Sequence, residues 1–308
     1  MMSKGSQIPR VVLWGSLSRQ TAVTLHALLQ AEIPVQGLIV AGNPLQHPIP
    51  SAVPFAIWHT DPFTIARRRN IPIITLNRRS KLHELTHTTQ LSGELGLVSC
   101  FPWKLPKEVV ASYPGGMLNI HPSPLPAYRG PAPLFWQYRD GCLKTGVALH
   151  EVTEQLDSGP LLAQVSCTLP LAFPGDRLEA WLAWYGVGLL LWVLRGERTV
   201  YTAPAESVSS GWAPLPGPAQ STIDWTWSCW RAAHFLAGVL PLGYNVTIVD
   251  RDGQNWLVER FLAWSSHPLV PHKGSSTIVS LEFADGYLTV QARPLYSVER
   301  PRRSVRRQ

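Results

Sequence analysis

The sequence predicts an α/β chain: an open, mostly parallel sheet with helices on both faces, followed by a small C-terminal β-barrel. Three observations point there. Through residue 203, apolar runs of strand length alternate with segments of helical period, the pattern of a parallel sheet covered on both sides. Residues 204–221 are then dominated by Pro, Gly, Ser and Ala, a linker composition. From 222 onward, short β-prone runs are separated by turn signals such as Arg251-Asp-Gly and Ala284-Asp-Gly, which suits a small barrel.

Taken in order, Val11-Val-Leu-Trp is an apolar run stopped by Gly15 and Ser16, and apolar residues follow at 22, 23, 25, 28 and 29. That is strand, turn, helix. Gln36-Gly-Leu-Ile-Val-Ala-Gly, Ile73-Ile-Thr-Leu and Leu95-Gly-Leu-Val-Ser-Cys read as further buried strands, with helices at Thr64–Arg69 and Lys81–Gln90 beside them. Met117–His121 is a strand, Pro133–Arg139 a short helix, and Thr145–Val152 and Leu161–Leu169 are strands. Arg177–Leu194 is a long helix that closes a first domain, 1–203. After the linker, a second domain (222–308) starts with a helix at Trp230–Val239. Strands follow at Gly243–Asp250, Trp256–Trp264, Thr277–Phe283 and Tyr287–Ala292, then a basic tail from about 293 to 308.

The net charge of +7 invites a nucleic-acid reading, but its distribution matters more than its sum. Residues 1–203 carry +5, 204–292 carry −3, and the last sixteen carry +5 through six arginines and Glu299. The four cysteines, at 100, 142, 167 and 229, show no CxxC and no metal-ligand spacing, so reduced, mostly buried thiols and no metal are expected. The first ten residues lack the apolar core of a secretory signal. The longest apolar run, Ala180–Leu194, has fifteen residues, short of the roughly 20 that span a bilayer. It reads as a helix buried on most of its circumference, and the chain as cytoplasmic with no membrane partner.

One segment carries chemistry: Asn119-Ile-His-Pro-Ser-Pro-Leu-Pro-Ala-Tyr-Arg-Gly-Pro-Ala-Pro. Asn119 and His121 share a face of their strand, and Pro122 ends it. The pair therefore sits at the carboxyl end of a central strand, where open α/β sheets bind ligands. Asp157 follows in a loop between two later strands. Amide, imidazole and carboxylate together suit acyl transfer: the carboxylate would raise the pKa of His121, and imidazolium and amide would donate to an oxyanion. On spacing alone, a hydrogen-bonded strand end and a turn-forming aspartate explain the three equally well. GxSxG, GxxxxGK[ST] and GxGxxG are all missing, so hydrolase-elbow, P-loop and dinucleotide readings have no motif.

The same segment, with Thr145-Gly-Val and Leu156-Asp-Ser-Gly, resembles the folate-dependent formyltransferases, in the two-domain form that acts on methionyl-tRNA. The resemblance runs in order from Val11 through Gln164. It continues more weakly through Ser221-Thr-Ile-Asp-Trp and Asp285-Gly-Tyr-Leu-Thr-Val, implying an OB-like second domain. It implies catalysis by Asn119, His121 and Asp157, with 10-formyltetrahydrofolate as formyl donor and no metal. The folate would be held by Ser123, Pro124, Leu125 and Pro126, with Phe101 and Trp103 packing on its ring or serving the core.

Initiator methionyl-tRNA is the acceptor this arrangement implies, with the arginine tail available to phosphates. Two features point instead to a small amine such as an amino-sugar nucleotide. Asn43–Pro54 contains no Lys or Arg where the tRNA enzymes carry a basic insertion, and the body of the second domain is acidic. A 10-formyltetrahydrofolate hydrolase and a non-catalytic RNA-binding protein are the readings from other classes.

Overall fold

The computed structural model describes residues 8–42, 61–87, 93–196, 211–269 and 277–295. The chain divides into two compact units, 1–215 and 216–308. In the first, β1 (Val11–Ser16) is fully buried apart from its last residue, as a continuous apolar run flanked by other strands must be. α1 (Arg19–Gln30) starts at Ser18, whose hydroxyl accepts the Thr21 amide, a side-chain N-cap. Then come β2 (Val35–Ala41), α2 (Pro62–Arg68), β3 (Ile73–Leu76), a 3-10 stretch at Arg79–His87 and β4 (Leu95–Ser99). α2 is capped by Asp61, with Pro62 at its first turn. The expected helix at Lys81–Gln90 is this tighter turn, and residues 88–92 lie outside the described residues.

The unit continues with α3 (Lys107–Ala111), β5 (Met117–His121), α4 (Pro133–Arg139), β6 (Lys144–Glu151), β7 (Leu161–Thr168) and α5 (Gly175–Leu194). Among the described residues the sheet has seven strands in the order β3-β2-β1-β4-β5-β6-β7. The first five pair in parallel, while β5–β6 and β6–β7 are antiparallel. Strand order reverses at β1 and β4, which leaves a crevice beyond their carboxyl ends.

α5 departs from expectation. It is the one helix among the described residues long and apolar enough to cross a membrane by length and composition. Its inner face packs on α1 and the sheet through Leu178, Leu182, Val187 and Leu190. Its outer face, however, leaves Trp181, Trp184 and Tyr185 about half exposed, so it is not buried around most of its circumference. An almost unbroken apolar run carries little periodicity, so the sequence does not mark which side faces water.

The second unit contains β8 (Thr222–Asp224), α6 (Cys229–Val239), β9 (Val246–Val249), β10 (Asn255–Ser265), β11 (Ile278–Phe283) and β12 (Gly286–Leu295). They form a five-stranded sheet, β11-β12-β10-β9-β8, over Ile223, Phe235, Ile248, Phe283 and Val290. The Asp285 carboxylate accepts the Cys229 amide at 2.6 Å at the start of α6, placing negative charge at the positive end of the helix. β12 runs to Leu295, so Arg293 belongs to a strand and not to the tail, whose remaining residues from 296 lie outside those described. None of the four cysteines forms a disulfide. Only Cys229 is fully buried, however, and Cys100 is exposed.

Candidate active site

A cavity of about 390 Å³ opens at the carboxyl ends of β1, β4 and β5. Ser16, Cys100, Asn119 and His121 reach it from the sheet, Gln20 from α1, and Asp157 and Gly130 from loops. Its size falls within the range of small-molecule sites. Asn119 and His121 project from the same face of β5, and the strand ends at His121 where Pro122 follows. Asp157 adopts φ 50°, a left-handed conformation that aspartate tolerates. Gly159 two residues on is obligatory, because a Cβ there would lie 1.9 Å from the Glu151 carbonyl oxygen.

The three residues meet. Asn119 Nδ2 donates to Asp157 Oδ1 at 3.1 Å, and His121 Nδ1 lies 3.6 Å from Asp157 Oδ2. His121 Nε2 donates to the Tyr128 carbonyl at 2.9 Å, and the Gly130 amide donates to Asp157 Oδ2 at 2.9 Å. A fourth side chain joins them. His150 is the in-register antiparallel partner of Asn119 on β6. Its Nε2 accepts the Asn119 amide at 3.0 Å and lies 3.5 Å from Asp157 Oδ1, while its Nδ1 donates to the Glu151 carbonyl. Sequence reasoning missed His150 and Gly130 as members of the site. Their only marks were a histidine in a β-run and a glycine after Arg129, and the register that joins His150 to Asn119 is a long-range fact.

The electrostatics correct one expectation. Burial holds the His121 pKa below its ordinary value and outweighs the upward pull of Asp157. The ring is therefore neutral at pH 7, not an imidazolium, because it is almost wholly removed from water. Burial pushes the Asp157 carboxyl up, but the flanking His150 and His121 rings and the Gly130 amide together leave it below the usual carboxylate range. Asp157 is thus the fixed negative charge of the site.

Residues 17–179, more than half of the chain, match the formyl transferase family. The chain belongs to that family. It is 28% identical over 200 residues to a methionyl-tRNA formyltransferase of Pseudothermotoga lettingae, covering 65% of this chain and 63% of that one. The chain thus spans under two thirds of that relative's length. A HypX structure from Aquifex aeolicus in complex with tetrahydrofolic acid superposes with a TM-score of 0.63 at 15% identity, over 94% of this chain and 45% of that one. An N-formyltransferase from Helicobacter canadensis, in complex with folinic acid and dTDP-3-aminofucose, superposes with a TM-score of 0.60 at 12% identity. That match covers 93% of this chain and 99% of the other. At such identities these two likenesses establish the fold.

Within this formyl transferase domain the expected folate residues separate. Phe101 and Trp103 line the cavity, and both also pack on the core around Trp14, Leu105 and Tyr113. Their rings stand edge-on in a chain, Trp14–Phe101 at 5.4 Å and Phe101–Trp103 at 5.7 Å, which fixes one aromatic wall. The stretch Ser123–Pro126 is absent from the cavity lining. Ser123 is fully buried and its hydroxyl donates to the Ala127 carbonyl, which shapes the loop. The proline at 124 supplies no amide to bind one.

Removal of the Cys100 thiol from water raises its pKa, and the Glu179 carboxylate of α5 adds to this. Burial pushes the Glu179 carboxyl up to about 7 against the opposing charge of Arg19, which is itself paired with Asp176 at 3.3 Å. A carboxyl raised above its ordinary value stabilises the fold at pH below about 4.5 and loses that contribution as pH rises through 7. Glu179→Gln, which mimics the neutral acid, is therefore expected to melt higher than the parent at pH 8 and alike at pH 4.5. Each kcal/mol relieved should raise the melting temperature by roughly 2–4 °C. Equal melting temperatures at pH 8 would refute the assignment. His121 and Asp157 act oppositely, since their lowered pKa values give stability that is lost as pH falls.

Proposed function

We propose that the chain transfers a formyl group from 10-formyltetrahydrofolate to an acceptor amine, and that the acceptor is methionyl-tRNA in the cytoplasm. The observation that carries the proposal is the convergence of Asn119, His121 and Asp157 in one cavity at the end of β5. Membership of the formyl transferase family and the names of the curated relatives support it.

The chemistry follows from the residues present. A neutral amine attacks the formyl carbon, and the carbonyl oxygen becomes an oxyanion. Asn119 turns the N–H that bonds His150 in the free site toward that oxygen. One such donor is worth roughly 3–4 kcal/mol of barrier. The ammonium forming on the acceptor faces the ionised Asp157. Neutral His121 takes its proton on Nδ1, the nitrogen left free because Nε2 is tied to Tyr128, and passes it to N10 as the C–N10 bond breaks. The products are the formylated amine and tetrahydrofolate. The aromatic wall of Phe101 and Trp103 gives the planar pterin a surface to pack on.

A small amine is the second reading, favoured by the lack of any Lys or Arg over 43–54, residues outside those described. Turnover of 10-formyltetrahydrofolate should be measured with charged initiator tRNA, with a panel of amino-sugar nucleotides, and with no acceptor. Formylation of the tRNA that falls steeply with salt supports the proposal. Formylation of a nucleotide alone establishes the second reading, and formate release without acceptor replaces both with hydrolysis.

A further inference from the structure

The segment that leaves the first unit returns to the site. Residues 212–214 lie along the turn that follows Tyr128: the Ala213 amide donates to the Arg129 carbonyl at 2.5 Å, and the Ala132 amide donates to the Ala213 carbonyl at 3.1 Å. Arg129 and Trp212 form a parallel bridge, and Trp136 Nε1 donates to the Pro214 carbonyl at 2.7 Å. This is not linker behaviour: Ala213 is wholly buried, and Leu215 lines the cavity. The contact is close. Gly130 has φ +120°, and a Cβ on it would stand 2.7 Å from the Ala213 carbonyl oxygen, so only glycine fits there.

The clamped turn contacts two ionisable groups of the site, His121 and Asp157. Its first residue, Tyr128, offers the carbonyl that accepts from His121 Nε2, and Gly130 offers the amide that donates to Asp157 Oδ2. The turn is otherwise anchored at its start, where the buried Tyr128 hydroxyl donates to the Asp140 carboxylate at 2.9 Å. It is proline-rich on its far side, with Pro131 and Pro133 lacking amides, and the Arg129 Nε is buried without a partner. We propose that residues 212–215 are a positioning strap for the active site, with Ala213 its central positioning residue: the strap sets the Tyr128–Gly130 turn, and through it the separation of His121 and Asp157. This rests on the formyl-transfer reading for its catalytic consequence, but not for its geometry.

Ala213→Pro removes the amide that bonds Arg129 while leaving every group that faces the cavity. In the full chain it is expected to lower kcat roughly 10- to 100-fold, the scale of a small misplacement of catalytic groups, with the KM for folate little changed. Trp136→Phe removes the donor to Pro214 while keeping an aromatic ring beside Phe135, and should lower kcat by about 2- to 10-fold. The decisive readout needs no substrate: the titration of the His121 ring, followed by imidazole NMR. His121 is faced by Asp157, His150 and Arg129. Loosening the turn alters the Tyr128 contact, the Asp157 separation and the burial of the ring together, so its midpoint should shift in both variants.

A His121 titration unchanged in Trp136→Phe, or in a folded Ala213→Pro, would overturn the proposal. If Ala213→Pro does not fold, Trp136→Phe decides alone. A shifted titration in a chain whose parent transfers no formyl group would leave the strap standing and remove the functional reading.

Discussion

Asn119→Asp is expected to lose roughly 100-fold or more in kcat, although the two side chains are nearly the same size. Asn119 Nδ2 lies 3.1 Å from Asp157 Oδ1 and 3.0 Å from His150 Nε2. Its two N–H groups are neutral donors facing the cavity. Substitution by a carboxylate sets two acidic oxygens against each other at that spacing, which forces one of them to keep a proton. The site then loses a donor where the oxyanion must form. It also loses the independent charge of Asp157, because the two acids titrate as a coupled pair. Asn119→Ala, which removes the donor without adding charge, should be the milder variant. Single-turnover measurements with saturating folate, checked by circular dichroism for an intact fold, test the ranking. Activity of Asn119→Asp within a few-fold of the parent would remove Asn119 from the mechanism.

The second large effect belongs to Asp157→Asn. Asparagine accepts the φ of 50° that residue 157 adopts, and its amide oxygen can still accept from Gly130. Structure and charge are thereby separated. The loss in kcat is expected to be about 100-fold or more, since the variant cannot balance the ammonium formed on the acceptor.

The pH profile carries the sign. In the parent, protonation of His121 removes the base, so kcat/KM should fall on the acid side with a midpoint below the ordinary histidine value of about 6.5. Asp157 is the carboxylate that pulls the His121 pKa upward. Without it the acid limb should move to still lower pH. A limb that moves upward, or parent-like turnover, would show that the charge of Asp157 has no part in the reaction.

How much of this was legible beforehand depends on the range over which each feature is determined. Strand β5 and helix α4 were read with their observed ends, Met117–His121 and Pro133–Arg139. Their boundaries are set by local chemistry, Pro122 stopping one and Pro133 starting the other. The short β8 and α3 were not read. Three and five residues long, they carry too few positions for a period to show. The exposed aromatic face of α5 was missed because Trp and Tyr have the same apolar signature on either side of a helix.

At the site, the sequence alone determined the chemical inventory: an amide and an imidazole on one face of a strand that must end, and an acid in a later loop. Alternation along a strand and the refusal of proline to continue a ladder are local rules, and they sufficed for that. The tertiary structure alone decided what these groups are. The register of β6 on β5 brought His150 against Asn119, and burial reversed the expected charge of His121. The backbone of residues 212–214 returned to bond the turn whose Tyr128 carbonyl and Gly130 amide meet His121 and Asp157. Register, desolvation and chain return each depend on residues far apart in sequence, and no pattern within a local window encodes them.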